Sequence, residues 1–291
     1  MSTDGSSSDL AATLGGGTHA RSLLKELGPG GVLIGLDRDP EAIAHCREML
    51  GGDPRAQLHL APFSRLAEFC PPASLAGALF DLGVSSHQLD DAGRGFSFEP
   101  GTPLDMRMGP DAEDTALEWL ASIPEAELAD CFRRNADLEK PGRLARRVKE
   151  LLAETPSPDS GILRQAVADV YRPRADERNR LLARVFQAVR MSVNREADEI
   201  RRGLSAAVAA LARGGRVAVL SYHSVEDREV KETFRAFERD CVCPPELPVC
   251  RCGGGHRALR KVLPKPMTAP EGEVAENPRA RSAKLRVMEK V

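Results

Sequence analysis

Short apolar runs alternate with amphipathic stretches over the first third of the chain, a pattern typical of an α/β fold with a parallel sheet. Residues 32–36 (VLIGL) are apolar throughout, as expected for a strand covered on both faces. Asp39, Pro40 and Glu41 then predict a helix start, because they suit the cap, the first turn and the helix dipole. The predicted strands are residues 10–13, 32–36, 57–60 and 76–82, and the predicted helices between them are residues 19–27 and 40–50.

The middle of the chain has helical periodicity and no predicted strand. We therefore expect an all-helical insertion over residues 109–182. It interrupts an α/β domain whose two parts are residues 1–108 and 183–291, the second part ending in a basic tail.

A long helix predicted over residues 181–212 leads from the insertion back to the α/β pattern and is ended by Gly214-Gly215. A strand at residues 216–220 and a helix at residues 227–237 follow. Residues 283–289 alternate between apolar and polar positions and predict an edge strand.

Composition narrows the class of protein. The chain has 291 residues, of which 42% are apolar and 29% are charged, as in a globular protein of one large or two smaller domains. It has no apolar run of the roughly 18 residues that a transmembrane helix needs. The seven cysteines are an odd number and the first ten residues lack the features of a signal peptide, so we expect a cytoplasmic protein without membrane partners.

The net charge of −2 hides an asymmetry. Residues 248–291 carry a net charge of +6, and residues 1–247 carry −8. A basic segment is typical of phosphate binding, so the tail, with Arg279, Arg281, Lys284 and Arg286, predicts a nucleic-acid partner.

A glycine loop between the first predicted strand and helix, residues 13–19 (TLGGGTH), predicts a ligand site. Asp37 closes the next strand, where an acidic residue can accept hydrogen bonds from ribose hydroxyls. The loop lacks the third glycine of a dinucleotide site and the Gly-Lys-Ser/Thr of a P-loop. S-adenosylmethionine fits better, and the alternative is a plain strand–turn–helix with a solvated Asp37.

Several longer motifs occur in a characteristic order along the chain. They are residues 13–19 (TLGGGTH), 36–40 (LDRDP), 81–90 (DLGVSSHQLD), 94–98 (RGFSF), 103–108 (PLDMRM), 186–190 (FQAVR), 221–228 (SYHSVEDR) and 277–286 (NPRARSAKLR). With these motifs the chain closely resembles the bacterial ribosomal RNA small-subunit methyltransferase H family, also called MraW, from about Thr13 to Glu289.

The resemblance implies a Rossmann-like class I methyltransferase fold with a helical insertion. It also implies methyl transfer from S-adenosylmethionine to the N4 amine of a cytidine in the decoding centre of 16S rRNA, with the small ribosomal subunit as partner and a homodimer as a further possibility. The family's cofactor contacts correspond to Gly17, Thr18, His19, Asp37, Phe63, Asp81 and Gln88.

The start of the chain departs from the family pattern. Only twelve residues precede Thr13, Ala11 replaces the usual Asp, and Thr18 replaces a glycine where the backbone could need a positive φ. We expect a truncated chain or an incorrectly assigned start codon as readily as a natural short form. The alternative function is a catalytically impaired RNA-binding or ribosome-assembly factor that keeps the fold but lacks the first strand. Methylation of DNA cytosine or of a protein amine is a third hypothesis.

Three residues are predicted to be catalytic. Asp81, at the end of the fourth strand, is expected to accept a hydrogen bond from the cytosine amine and to take its proton. Its alternative role is to bind the methionine amino group only. Tyr222 or His223 is expected to stack on the extruded base, and the alternative is a strand-end turn whose hydroxyls cap the next helix. Asp105 and Arg107 are expected to form an ion pair.

Cys241, Cys243, Cys250 and Cys252 lie within twelve residues. Four thiolates can hold zinc, but the C-x-C spacing is tighter than the usual C-x₂₋₄-C, and both readings stay open. The chemistry needs no metal, so no metal ligand is assigned to the active site.

Overall fold

The computed structural model describes residues 8–244, 247 and 249–291 of the chain. These residues divide into two compact units, one formed by residues 8–83 and 197–291 and the other by residues 84–196. The second unit contains the predicted helical insertion of residues 109–182 and extends beyond it at both ends. The assignment of domain boundaries stays a prediction.

One mixed sheet organises the first unit. Within the described residues its strands are β1 (Ser8–Ala11), β2 (Val32–Asp37), β3 (Ala56–Leu60), β4 (Leu75–Asp81), β5 (Leu211–Ser221), β6 (Leu259–Lys261), β7 (Met267–Thr268) and β8 (Lys284–Lys290). The strand order is β3-β2-β1-β4-β5-β8-β6, and β7 pairs with β8. The first five strands are parallel and β8 runs antiparallel to β5. This order is that of a doubly wound α/β sheet, so the predicted Rossmann-like fold is confirmed.

Helices make up most of the rest of the described chain. They are α1 (Thr18–Glu26), α2 (Pro40–Met49), α3 (Ser86–Asp90), α4 (Ala116–Ser122), α5 (Glu125–Ala136), α6 (Pro141–Glu154), α7 (Gly161–Tyr171), α8 (Ala175–Val193), α9 (Glu196–Ala210), α10 (Ser224–Glu238) and α11 (Glu271–Glu276). Asp39 caps α2 as predicted, and its side chain accepts a hydrogen bond from the Glu41 amide at 3.0 Å. Among the described residues, no helix combines the length and the apolar character needed to cross a membrane.

The first strand is present, which contradicts the premise of the alternative function. β1 is short, but it pairs with β2 on one side and with β4 on the other. Leu10 and Ala11 are completely buried in it. The prediction that this protein lacks the first strand is therefore wrong.

Two predictions about the end of the chain are wrong. The strand after α9 begins at Leu211, earlier than predicted, and Gly214-Gly215 lies in an irregularity inside β5 where the register with β4 shifts. β8 is not an edge strand, because it pairs with β5 on one side and with β6 and β7 on the other. The long-range pairing partners that decide both points cannot be read from local periodicity.

The second unit is helical, with a core contributed by α4 to α8. The long helix predicted over residues 181–212 is instead two helices, because α8 ends at Val193 and α9 begins at Glu196. The buried Asn194 side chain accepts a hydrogen bond from the Met108 amide at 2.8 Å and donates to the Met106 carbonyl at 2.7 Å. These tertiary hydrogen bonds favour a break in the helix at Asn194. Helical periodicity alone predicts that the helix continues through this position.

The ion pair predicted within the PLDMRM motif is present. The Arg107 guanidinium donates to both carboxylate oxygens of Asp105, each at 2.8 Å. The bidentate contact lowers the pKa of Asp105 against the effect of its burial, so the carboxyl stays ionised.

Candidate active site

The candidate site lies at the carboxyl ends of the parallel strands. Asp37 ends β2, Asp81 ends β4, Tyr222 follows β5, and the glycine loop follows β1. In an open α/β sheet these ends form the ligand-binding edge where the strand order reverses, here between β1 and β4. Parallel pairing therefore brings together residues that are about 200 positions apart in the chain.

The glycine loop makes its sharp turn at Gly17. Gly17 has φ +72°, caps the start of α1 and donates its amide to the Leu14 carbonyl at 2.7 Å. A Cβ added there would lie 2.2 Å from Met49 Cε and 2.9 Å from Cys46 Sγ, so this position requires glycine. Thr18 is the first helical residue of α1. The left-handed conformation that was expected at Thr18 occurs at Gly17 instead.

Asp37 ties the glycine loop to the end of β2. Its Oδ2 accepts hydrogen bonds from the Leu14 amide at 3.1 Å and the Gly15 amide at 2.9 Å, and its Oδ1 accepts from the Asp39 amide at 2.9 Å. Burial raises the pKa of Asp37 despite these bonds. A carboxylate has about four acceptor positions, so three amide bonds still leave room for a ribose hydroxyl. The loop contacts of Asp37 were not predicted from the sequence.

Asp81 is held by Thr13 after β1, by Tyr222 after β5 and by His19 of α1. Its backbone amide donates to Thr13 Oγ1 at 2.8 Å, and its Oδ1 accepts a hydrogen bond from the Tyr222 hydroxyl at 2.8 Å. His19 Nε2 lies 3.4 Å from Asp81 Oδ2, and this contact raises the pKa of His19. Burial and the Asp81 carboxylate raise the pKa of Tyr222, so its hydroxyl remains protonated and donates to Asp81.

Glu226 organises the segment after β5 and was missed by the sequence reasoning. Its side chain is 0% exposed, and its Oε2 accepts a hydrogen bond from the Tyr222 amide at 2.9 Å. His223 caps α10: its Nδ1 accepts from the Glu226 amide at 3.3 Å, and its Nε2 lies 2.8 Å from Glu226 Oε1. The His223 ring therefore contacts both the backbone and the side chain of Glu226.

The arrangement around Glu226 resembles a capping box in which histidine replaces the usual serine or threonine. The glutamate three residues after His223 is the sequence signal that could have revealed it. The alternative in which hydroxyls cap this helix is wrong, because the capping side chain is that of His223.

Phe63 and Gln88 have contacts that neither require nor exclude their predicted cofactor roles. The Phe63 ring packs edge-on against Phe80 with centroids 5.5 Å apart, close to Gly203 of α9. Gln88 belongs to the second unit, where it forms a capping box with Ser85 at the start of α3. Both roles stay predictions.

The glycine loop with Asp37, the Asp81 carboxylate and the SYHSVEDR segment agree with one family of proteins. A sequence profile of the MraW methylase family matches residues 4–291. The chain belongs to the MraW methylase family.

Two relatives with 40–42% sequence identity agree with the family assignment, and one solved structure has a weaker similarity to the chain. A ribosomal RNA small subunit methyltransferase H from Xanthomonas oryzae pv. oryzae is 42% identical over 282 residues, which cover 97% of this chain and 82% of that protein. The protein of the same name from Desulfosudis oleivorans is 40% identical over 285 residues, which cover 96% of this chain and 91% of that protein. A crystal structure of an rRNA methylase from Streptococcus thermophilus covers 99% of this chain and 89% of that one, with 11% identity and a TM-score of 0.44.

S-adenosylmethionine is the cofactor of this methylase, as predicted. The residues at the carboxyl ends of the parallel strands fit this cofactor. The loop backbone is open at Gly16, where an added Cβ would meet nothing within 4 Å. Asp37 offers acceptor positions suited to ribose hydroxyls, and the partly exposed Asp81 carboxylate suits the cationic part of the cofactor. The contacts of individual residues with the cofactor stay predictions.

The basic strip predicted near the end of the methylase is partly neutralised. Lys284 Nζ lies 3.0 Å from Asp227 Oδ2, and Arg286 Nε lies 2.7 Å from Asp227 Oδ1. These two cations of β8 hold the start of α10, and they lower the pKa of Asp227 against the effect of its burial. Arg279 and Arg281 are exposed in the short 3-10 segment before β8.

We expect the Asp37→Asn variant to bind S-adenosylmethionine about 10- to 100-fold more weakly, because hydrogen bonds to a charged acceptor contribute about 1.5–3 kcal/mol. The side-chain amide of the variant also has only one acceptor oxygen, whereas the glycine loop and the Asp39 amide donate to two different oxygens of Asp37. Burial raises the pKa of Asp37, so its carboxylate gains a proton at a pH above the ordinary pKa range of an aspartate. The affinity of the wild type for the cofactor should therefore fall as the pH is lowered into that range. Calorimetric titrations across pH measure both effects.

The matched control for this prediction is Glu48→Gln, the same chemical change at an exposed position of α2. It should leave the affinity and its pH profile unchanged. If Asp37→Asn binds the cofactor as tightly as the wild type, the anchoring role of Asp37 is wrong. If Asp37→Asn binds the cofactor weakly but keeps the pH profile of the wild type, another group causes the loss of affinity at low pH.

Proposed function

We propose that this protein transfers the methyl group of S-adenosylmethionine to the N4 amine of a cytidine in the decoding centre of 16S rRNA. The observation that carries the proposal is the Asp81 carboxylate, which is oriented by the Tyr222 hydroxyl and lies beside the glycine loop. The relatives named ribosomal RNA small subunit methyltransferase H support an rRNA substrate.

The cytosine amine is a poor nucleophile because its lone pair is delocalised into the ring. S-adenosylmethionine supplies an electrophilic methyl group when it is bound, so the protein mainly has to position the amine and to remove a proton. A carboxylate that accepts a hydrogen bond from the amine localises the lone pair on nitrogen and then takes the proton. The position of Asp81 at the end of β4 supports this role, since its oxygens retain acceptor positions beyond those used by Tyr222 and His19.

Tyr222 and His223 complete the proposed catalytic side of the site. The Tyr222 hydroxyl fixes the Asp81 carboxylate, while the Glu226 carboxylate fixes the Tyr222 backbone and the His223 ring. In this proposal an extruded cytosine stacks on the ring of Tyr222 or His223. Aromatic residues are only 4% of the chain, so the rest of the RNA would be held by arginine contacts and by its shape.

Methylation assays with two RNA substrates test the proposal. Unmodified 16S rRNA and small ribosomal subunits, both from a strain that lacks the homologous gene, are incubated with the protein and S-adenosylmethionine, and the digested nucleosides are analysed by mass spectrometry. We expect N4-methylcytidine at a single decoding-centre position, which must disappear when that cytidine is replaced by uridine. Methylation of another atom, or of neither substrate, would refute the proposal.

A further inference from the structure

Four cysteine side chains converge in the segment between α10 and β6. The Sγ atoms of Cys241, Cys243, Cys250 and Cys252 all lie within 4.8 Å of one another. Cys241 Sγ is 3.4 Å from Cys250 Sγ and 3.6 Å from Cys252 Sγ, and the last two are 3.5 Å apart. These separations are far longer than the roughly 2.05 Å of a disulfide bond.

The spacing matches a tetrahedral metal site. With Zn–S bonds of about 2.3 Å, the four sulfurs of a tetrahedron lie about 3.8 Å apart. The three separations among Cys241, Cys250 and Cys252 are slightly below this value, and those to Cys243 Sγ are at most 4.8 Å. A metal ion at the centre thus needs only small movements of the side chains. The tight C-x-C spacing does not prevent the four sulfurs from meeting.

Backbone amides donate hydrogen bonds to the sulfurs, as they do around metal-bound thiolates. The Arg251 amide lies 3.3 Å from Cys243 Sγ, and the amides of Val242 and Gly254 donate to Cys252. Gly253, Gly254 and Gly255 have φ of 79°, 77° and 80°, a left-handed run that favours glycine. The chain therefore bends back around the sulfurs in a conformation that its glycines make accessible.

Apolar packing does not explain why the segment holds this shape. Its large apolar side chains are exposed, with Val242 at 62%, Val249 at 70% and Leu247 at 38%. The two ends are joined by hydrogen bonds, from the Ala258 amide to the Phe237 carbonyl at 2.9 Å and from the His256 amide to the Asp240 carbonyl at 3.1 Å. Between these ends a metal ion would stabilise the segment, whose described large apolar side chains are exposed and form no core.

We propose that Cys241, Cys243, Cys250 and Cys252 bind one structural Zn²⁺ ion. The four thiols release their protons to solvent on binding, so the occupied site carries a charge of −2. The ion fastens the connection between α10, which starts at the active site, and β6, which pairs with β8. It takes no part in methyl transfer.

Metal analysis of the full-length protein, purified with a thiol reductant and without chelator, tests the proposal. We expect one zinc ion per chain. Cys243→Ser and Cys250→Ser should each lose most of the zinc, whereas the matched control Cys70→Ala should retain it, because Cys70 is buried elsewhere in the sheet core. Cobalt substituted for zinc should show the visible absorption of a tetrahedral thiolate site.

Chelation of the wild-type protein gives a second measurement that does not depend on whether a variant folds. Removal of zinc should make residues 239–258 sensitive to limited proteolysis, and added zinc should restore protection. Three results would overturn the proposal: wild-type protein that contains iron or far less than one zinc per chain, Cys70→Ala losing zinc as the cluster variants do, or disulfide bonds among the four cysteines under the reducing conditions used.

Discussion

The Asp81→Asn variant is expected to transfer methyl groups about 10²–10⁴ times more slowly than the wild type at saturating S-adenosylmethionine, the range that a positioned proton acceptor contributes. An asparagine keeps the size of the side chain and can still accept a hydrogen bond from the Tyr222 hydroxyl. It cannot take a proton from the amine. Single-turnover methyl transfer to the RNA substrate measures the rate of this step directly.

The same variant separates the two roles of Asp81. If Asp81 only binds the amino group of the cofactor, Asp81→Asn raises the dissociation constant of S-adenosylmethionine but restores near-full turnover at saturation, and the acceptor role is refuted. Tyr222→Phe is the matched control, since it removes one hydrogen bond to Asp81 and leaves the carboxylate. We expect it to slow turnover about tenfold, because a hydrogen bond to a charged group contributes roughly 1.5 kcal/mol.

The Glu226→Ala variant is expected to lower the free energy of unfolding by about 1–3 kcal/mol, because it removes the acceptor of the part-buried Tyr222 amide. It also removes the short contact between the Glu226 carboxylate and His223 Nε2. Since the carboxylate also fixes the residues that orient Asp81, turnover should fall in the protein that remains folded. Urea denaturation followed by circular dichroism measures the stability.

Two companion variants make the Glu226 prediction specific. Glu232→Ala makes the same change at an exposed position of α10 and should alter stability by less than about 0.5 kcal/mol. Glu226→Gln keeps one acceptor oxygen and should fall between the alanine variant and the wild type. If Glu226→Ala is as stable as Glu232→Ala, the capping arrangement around His223 contributes nothing to the fold.

Much of the candidate site could be predicted because it depends on the ends of strands. Parallel strands are buried on both faces, so each appears in the sequence as an apolar run, and the polar residue that closes the run lies at the ligand-binding edge. Asp37 and Asp81 were recognised in this way, and Tyr222 lies just past the predicted strand 216–220. Their meeting follows from parallel pairing alone.

The contacts within the site could not be predicted in the same way. The amide bonds from the glycine loop to Asp37, and the burial of Glu226 between Tyr222 and His223, depend on distances between side chains on different strands. An acidic residue three positions into a helix looks like many solvated ones. Only its 0% exposure distinguishes Glu226.

The sequence by itself determined the family, the α/β class, the helix cap at Asp39 and the strand ends that carry Asp37 and Asp81, because each of these depends on neighbouring residues or on local periodicity. The tertiary structure alone decided that Asn194 separates α8 from α9 and that β8 lies inside the sheet. It also decided that Glu226 is buried against Tyr222 and His223, and that the sulfur atoms of four cysteines lie within 4.8 Å of one another. In each of these cases the deciding partner is distant in sequence, and a burial or hydrogen-bonding requirement between distant residues leaves no periodic trace in the chain.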